Sequence, residues 1–162
     1  MKEQQKKYEL TDEFIEHWSG KKLYRIRALV TFGSVVVGQL GGFVESEKNL
    51  DQSLLGNAWV SGDAQVSGDT WVSGDARVSG DASVRSYAII SDKKMIFWAS
   101  NVGSENGTLT VFNGKDGLIV TRGCFTGTVD NFLAKSAEVH DDKTKNEYKL
   151  LIEVAKSRIL GG

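Results

Sequence analysis

From Leu54 onward the chain repeats every six residues: LLGNAW, VSGDAQ, VSGDTW, VSGDAR, VSGDAS, VRSYAI. Four successive blocks carry Val-Ser-Gly-Asp. The first position holds Leu54, Val60, Val66, Val72, Val78 and Val84. The fifth holds Ala58, Ala64, Thr70, Ala76, Ala82 and Ala88. A period of six fits neither the spacing of a helix face nor the alternation of a strand. It fits a solenoid, where an aliphatic side chain every sixth residue fills the interior and a small one turns inward near a corner. Gly62, Gly68, Gly74 and Gly80 then sit where a side chain would obstruct the bend. Asp63, Asp69, Asp75 and Asp81 are good turn formers, because their side chains bond nearby amides.

These sextets resemble those of the hexapeptide-repeat, left-handed β-helix family. The resemblance is carried by residues 54–90. It implies triangular coils, three sextets to a turn, whose backbones bond one another at strand spacing. Stacking on that plan sets Trp59 over Arg77, Asn57 over Asp75 and Asp63 over Asp81. Stacked aspartates can bond corner amides or, in a second reading, offer oxygen ligands to calcium. The same phase runs back through Val30 and Val36 and breaks at Gly42 and Lys48. That predicts one or two irregular coils over 29–53, with a loop at 45–52. Trp59 and Trp71, with Arg77, are expected on a flat outer face as interface residues, because large apolar groups there ask to be covered. The family resemblance adds a homo-oligomer, with a trimer favoured.

The flanks are not repetitive. Tyr24, Ile26 and Ala28 alternate with Arg25, Arg27 and Leu29, which reads as a strand. Thr11, Asp12 and Glu13 suggest a short helix or turn carrying Phe14, Ile15 and Trp18. Residues 1–28 would then form a β cap on a β-helix over 29–92, since an uncapped coil leaves an open sheet edge. Residues 95–100, 107–112 and 118–121 read as strands. Thr128 reads as the N-cap of a helix through Phe132, Leu133, Ser136 and Val139. Thr144 with Glu147 matches a capping box for a last helix burying Tyr148, Leu151, Ile152, Ala155 and Ile159. Gly161 and Gly162 end it. The fold class is thus mainly β, with a C-terminal α+β domain over 93–162 of three antiparallel strands and two helices.

The layout YELTDE…LYRIRAL, GGFVESEKNL, GNAWVSGDA and RGCFTGT…F…H…EY also resembles a group of bacterial and prophage-encoded repeat proteins. The resemblance implies a phage or mobile-element setting. It carries no catalytic assignment.

Chemistry is sparse. The 162 residues hold no proline, one cysteine, two histidines and a net charge of −1. Near-neutral charge argues against nucleic acid as an electrostatic partner. Cys124 alone can form no intrachain disulfide or cysteine metal cluster, so no metal is expected. The polar start, Met1-Lys2-Glu3-Gln4, and the lack of an apolar run of ~20 residues predict a cytoplasmic protein without a membrane span. The hexapeptide family is rich in acyltransferases that use a histidine base. Here His17 and His140 both lie outside the sextets, so that chemistry lacks its base. His140 reads as a helix-terminal residue beside Asp141 and Asp142, and His17 as a packing or surface residue. Cys124 reads as a buried thiol, with a nucleophile as the alternative.

The best candidate is a binding site. Arg122-Gly123-Cys124-Phe125-Thr126-Gly127-Thr128 leads into a helix start, where backbone amides favour anions. Arg122 adds charge-assisted donors. Ser104, Asn106 and Thr108 add hydroxyl and amide groups, and Trp98 a stacking face. With Gly123, Thr126 and Thr128 these residues suit a phosphate-bearing small ligand; the other reading is a plain glycine-rich connection. The leading expectation is a non-enzymatic binding protein without cofactor. In a phage setting it would be a host-defence antagonist that sequesters a nucleotide signal or occludes a host protein, in the host cytoplasm. The alternatives are a divergent acyltransferase or nucleotide-processing enzyme, and a structural virion or surface component.

Overall fold

The computed structural model describes residues 6–17 and 19–161. Trp18, Gly162 and the polar start at 1–5 lie outside them. The chain is mainly β, with a helical part at its C-terminal end.

The sextets form strands of two residues each: β4 (Trp59–Val60), β5 (Gln65–Val66), β6 (Trp71–Val72), β7 (Arg77–Val78), β8 (Ser83–Val84) and β9 (Ile89–Ile90). They pair in parallel at an offset of 18: Val60 beside Val78, Val66 beside Val84, Val72 beside Ile90. Amides of one turn donate to carbonyls of the next, as Ser61 does to Val78 at 2.8 Å and Ser67 to Val84 at 2.9 Å. These valines, and the alanines and Thr70 at the fifth position, are buried. The corner at Gly68 has φ +70°, and a Cβ there would meet the Ser86 amide of the next turn at 3.0 Å.

Leu54, expected inside, is half exposed, and Leu55 is 100% exposed. Val44 and Leu50 fill the interior instead, beside Val66 and Val72, with partners 22 positions apart. That turn is therefore four residues longer than the repeat. The excess bulges between Asp51 and Trp59, whose amides still bond the next turn at 2.8 and 3.1 Å. Buried Lys7 closes the bulge from within, donating through Nζ to Ala58 O at 2.8 Å and Gly56 O at 3.2 Å. The expected 45–52 loop contains a one-turn 3-10 segment at Glu47–Asn49, capped by Ser46. Val36, predicted to be in phase, is exposed; Phe32 and Val35 pack inward from a tight turn instead of a coil.

At the N-terminal end β1 (Tyr8–Glu16) and β2 (Lys22–Ala28) make an antiparallel hairpin that continues through β3 (Leu40–Val44) into the coil wall, in the order β1-β2-β3-β5-β8. Thr11, Asp12 and Glu13 thus lie in a strand, not a helix; a bulge between Leu10 and Phe14 accommodates them. Trp59 is 1% exposed rather than an interface residue. It is wedged edge-to-face between Tyr8 and Phe32, with ring centroids 6.4 and 5.4 Å away. Trp71 does remain on the surface.

The C-terminal sheet has four strands, not three: β10 (Ile96–Val102), β11 (Gly107–Gly114), β12 (Gly117–Arg122) and β13 (Phe125–Thr128), in that order. The fourth arises because Gly123 (φ +56°) lets the chain reverse at once, so that Arg122 faces Phe125. One sheet face closes the end of the last turn, and Ile96 and Phe112 join the buried cluster of coil valines across the boundary expected at 92–93. The other face, with Leu109, Val111 and Val120, packs on α1 (Val129–Val139) and α2 (Asp142–Leu160) through Phe132, Tyr148 and Ile152. Thr128 caps α1 as expected. Asp141, not Thr144, caps α2: its carboxylate takes the Thr144 amide at 2.8 Å. Among the described residues no helix is long and apolar enough to cross a membrane.

Candidate functional site

The residues expected to form one ligand site occupy three places. Arg122 lies with Ser104, Asn106 and Thr108 at the β10–β11 turn. Gly123, Thr126 and Thr128 lie at the seam with the last coil. Trp98 lies beside Arg77 near the end of α2.

The β12–β13 turn does not present an amide cradle. Its carbonyls are engaged inward by Arg85, which is 7% exposed. Arg85 Nη2 donates to Gly123 O and Phe125 O at 2.7 Å each, its Nε to Thr126 Oγ1, and its Nη1 to Ser83 Oγ at 2.7 Å. The α1 start is occupied as well: Thr128 Oγ1 accepts the Asn131 amide at 3.1 Å, and the Asn131 side chain accepts the Thr128 amide at 3.3 Å. A reciprocal cap of this kind takes up two of the donors that an anion at this helix start would use. A cavity of about 230 Å³ remains there, lined by Tyr87, Lys115, Ile119, Thr126, Thr128 and Asn131 among others.

Arg85 was missed in the sequence, although the repeat signals it. The sextet Val84-Arg85-Ser86-Tyr87-Ala88-Ile89 replaces Ser-Gly-Asp by Arg-Ser-Tyr. Ser86 keeps the left-handed corner of the glycines it replaces, at φ 74°. A neighbouring cleft of about 310 Å³ is lined by His17, Lys21, Asp69, Arg85, Tyr87 and Thr126, among others. Burial, then Arg85 and Lys21, holds the His17 imidazole below its ordinary pKa.

The most coherent charge arrangement surrounds Trp98. A cleft of about 300 Å³ is lined by Arg77, Lys93, Ile96, Phe97, Trp98 and Arg158. Four elements converge on it. Arg77 comes from β7, Lys93 from the 3-10 turn after β9, Trp98 from β10 and Arg158 from the last turn of α2. Ser34 Oγ accepts from the Arg77 guanidinium at 3.0 Å. Gly80 allows the Trp98 indole to approach the coil, since a Cβ there would lie 3.0 Å from Nε1. All three charged lining residues are cations. Lys93 and Arg158 carried no local signal, because nothing near either in the chain marks it.

His140 ends α1, its Nδ1 2.8 Å from Ser136 Oγ and its ring 5.3 Å from that of Tyr148. Cys124, expected to be buried, is exposed at the tip of the β12–β13 turn. Asp75 and Asp63 bond outside their own corners, to the Asn57 amide at 3.4 Å and to Arg25 at 3.6 Å. Among the described residues no group of three or more His, Cys, Asp and Glu stands ready for a metal. No known family model matches the chain, and no curated protein matches it.

Proposed function

We propose that this protein binds rather than catalyses, and that it takes a phosphate-bearing ligand with a flat ring, of the nucleotide class, between Arg77, Lys93, Arg158 and Trp98. The observation that carries the reading is a cleft whose charged lining is wholly cationic and which includes an indole. Arginine forks and a lysine suit phosphate oxygens, and the indole suits a base by stacking. We read the 18-residue stacking as a short left-handed β-helix of the hexapeptide type, acting as a rigid base for the cleft. The resemblance to prophage-encoded repeat proteins supports a nucleotide signal as ligand and host-defence antagonism as role.

Isothermal titration with ATP and with a cyclic dinucleotide tests this. Saturable binding is expected that weakens with salt and drops by about tenfold or more in Lys93→Glu and Arg158→Glu. Heat without saturation, or binding that ignores both charge reversals, refutes it. Turnover abolished by His140→Ala would favour the enzyme reading.

Trp71 and Ile89 lie side by side on one coil face, both exposed, with Tyr87 exposed nearby. This supports self-association, and a trimer is our reading. Sedimentation at micromolar concentration should show it, with Trp71→Glu giving monomers.

A further inference from the structure

We propose that the basic cleft takes its ligand free of metal, as a nucleoside diphosphate or triphosphate whose charge is neutralised by the protein and not by Mg²⁺. This rests on the reading of Arg77, Lys93, Arg158 and Trp98 as a nucleotide site, and it names the form of nucleotide bound there.

The cleft's charge is one-sided. Three cations line it and no carboxylate does. Among the described residues none of the three is ion-paired, so their charge is open to a ligand. The acids beside Arg77 and Lys93 in the chain are turned to other partners. Asp75 accepts the Asn57 amide at 3.4 Å, and Asp92 accepts the Lys94 amide at 3.1 Å. A terminal phosphate carries about −1.5 to −2 near neutral pH, and each internal phosphate adds about one more charge. Three cations therefore match a diphosphate and exceed what a monophosphate can neutralise.

Magnesium works against this match. At nucleotide sites Mg²⁺ is usually held by one or two carboxylates together with the phosphates, and it keeps several of its waters. In this cleft it would find no lining carboxylate and would meet three like charges. Its waters would also stand between the phosphate oxygens and the guanidinium forks, which bind best in direct paired contact. The metal complex loses on charge and on geometry alike.

Burial orders the contacts. Arg77 and Trp98 are half-buried, whereas Lys93 and Arg158 are exposed. Ser34 Oγ accepts from Arg77 at 3.0 Å and so steadies the inner fork. Strand alternation sends Phe97 to the helix-side cluster and Trp98 to the coil side, so a single indole serves a single base. The base and the inner phosphate then belong with Trp98 and Arg77, and the terminal phosphate with Lys93 and Arg158.

Isothermal titration of the full chain with ADP tests this, once in EDTA and once in excess MgCl₂, at matched ionic strength. Binding in EDTA should be tighter by about tenfold or more. AMP, which lacks the terminal phosphate, should bind more weakly than ADP in EDTA. Lys93→Glu, at an exposed position, supplies a carboxylate, so in that variant Mg²⁺ should weaken ADP binding less than in wild type. The inference fails if Mg²⁺ leaves wild-type binding unchanged or tightens it, if AMP binds as tightly as ADP, or if Lys93→Glu keeps the full wild-type response to Mg²⁺. ADP that binds in neither buffer overturns the nucleotide reading itself, a failure distinct from binding that ignores the metal.

Discussion

Restoring the repeat at Ser86 should stabilise the protein. Ser86 occupies the corner that Gly62, Gly68, Gly74 and Gly80 occupy elsewhere, all at positive φ. An L-residue held in the left-handed region costs roughly 1–2 kcal/mol. Glycine returns about 0.5–1 kcal/mol of that through its freer unfolded chain. Ser86→Gly should therefore gain about 0.5–1 kcal/mol, equivalent to a rise in Tm of roughly 1–4 °C for a chain of this size. The reverse change is the control. Gly68→Ser places a Cβ at φ +70°, 3.0 Å from the Ser86 amide and 3.2 Å from its carbonyl. It bears the strain and must also push the next turn away, so it should lose more than Ser86→Gly gains. Urea denaturation followed by circular dichroism reads both. A destabilised Ser86→Gly, or a Gly68→Ser as stable as wild type, would refute the corner argument.

Three further outcomes follow from the packing. Arg85→Met leaves the Gly123 and Phe125 carbonyls without their donor and should cost about 2–4 kcal/mol in the same assay; a cost under ~0.5 kcal/mol, the size of an ordinary surface change, would show that the clamp is slack. Val78→Ala, at a fully buried coil position, should cost about 2–3 kcal/mol, whereas Leu55→Ala, at a fully exposed one, should stay within ~0.5 kcal/mol. Equal effects would mean that the interior register is misread. Burial lowers the Lys7 pKa, so between that depressed value and the ordinary lysine value the unfolded chain binds more protons than the folded one. Wild-type stability should therefore rise with pH through that window relative to Lys7→Met, and parallel pH profiles for the two proteins would argue that Lys7 titrates normally.

How legible the fold was depended on whether a signal recurred. Val60 to Val84 and Ala58 to Ala88 could be placed because each repeats its neighbour's environment six residues on. Leu50 could not be distinguished from Leu54. Both are leucines near the first sextet, and only the bulge between Asp51 and Trp59 decides which one points inward. Thr128 was readable as a cap because the helical spacing of Phe132, Leu133, Ser136 and Val139 begins just after it. At α2 both Asp141 and Thr144 are good caps, and the earlier one captures the amide of the later. The residues of the basic cleft were the least legible as a group. Arg77, Lys93, Trp98 and Arg158 come from four elements that meet only when the sheet folds over the coil end, and no spacing in the chain encodes that meeting. Arg85 was readable after all, as the one interior sextet position where serine gives way to a guanidinium.

That seam explains why the clefts lie where they do. A stacked turn bonds the next through backbone groups at matched positions, but the last turn has no successor. The antiparallel sheet that covers it matches its edge at one bridge, Ala88 with Gly114, where the Lys115 amide donates to Tyr87 O at 3.0 Å; elsewhere side chains substitute. Thr110 Oγ1 accepts the Ser83 amide at 3.1 Å, Thr121 Oγ1 donates to Ser83 O at 2.6 Å, and Asn113 Nδ2 donates to Ile89 O at 3.0 Å. The sheet and the last turn do not fit everywhere, and gaps remain between them. Tyr87 and Lys115, Arg85 and Thr126, and Arg77 and Trp98 line three such gaps, each pairing a coil residue with one from the covering domain. The uniform sextets leave little room for a specific site, because every position repeats and its inward groups are spent on stacking. Departures from the repeat therefore concentrate at its end, where Ser-Gly-Asp becomes Arg-Ser-Tyr, and ligand chemistry is best sought there.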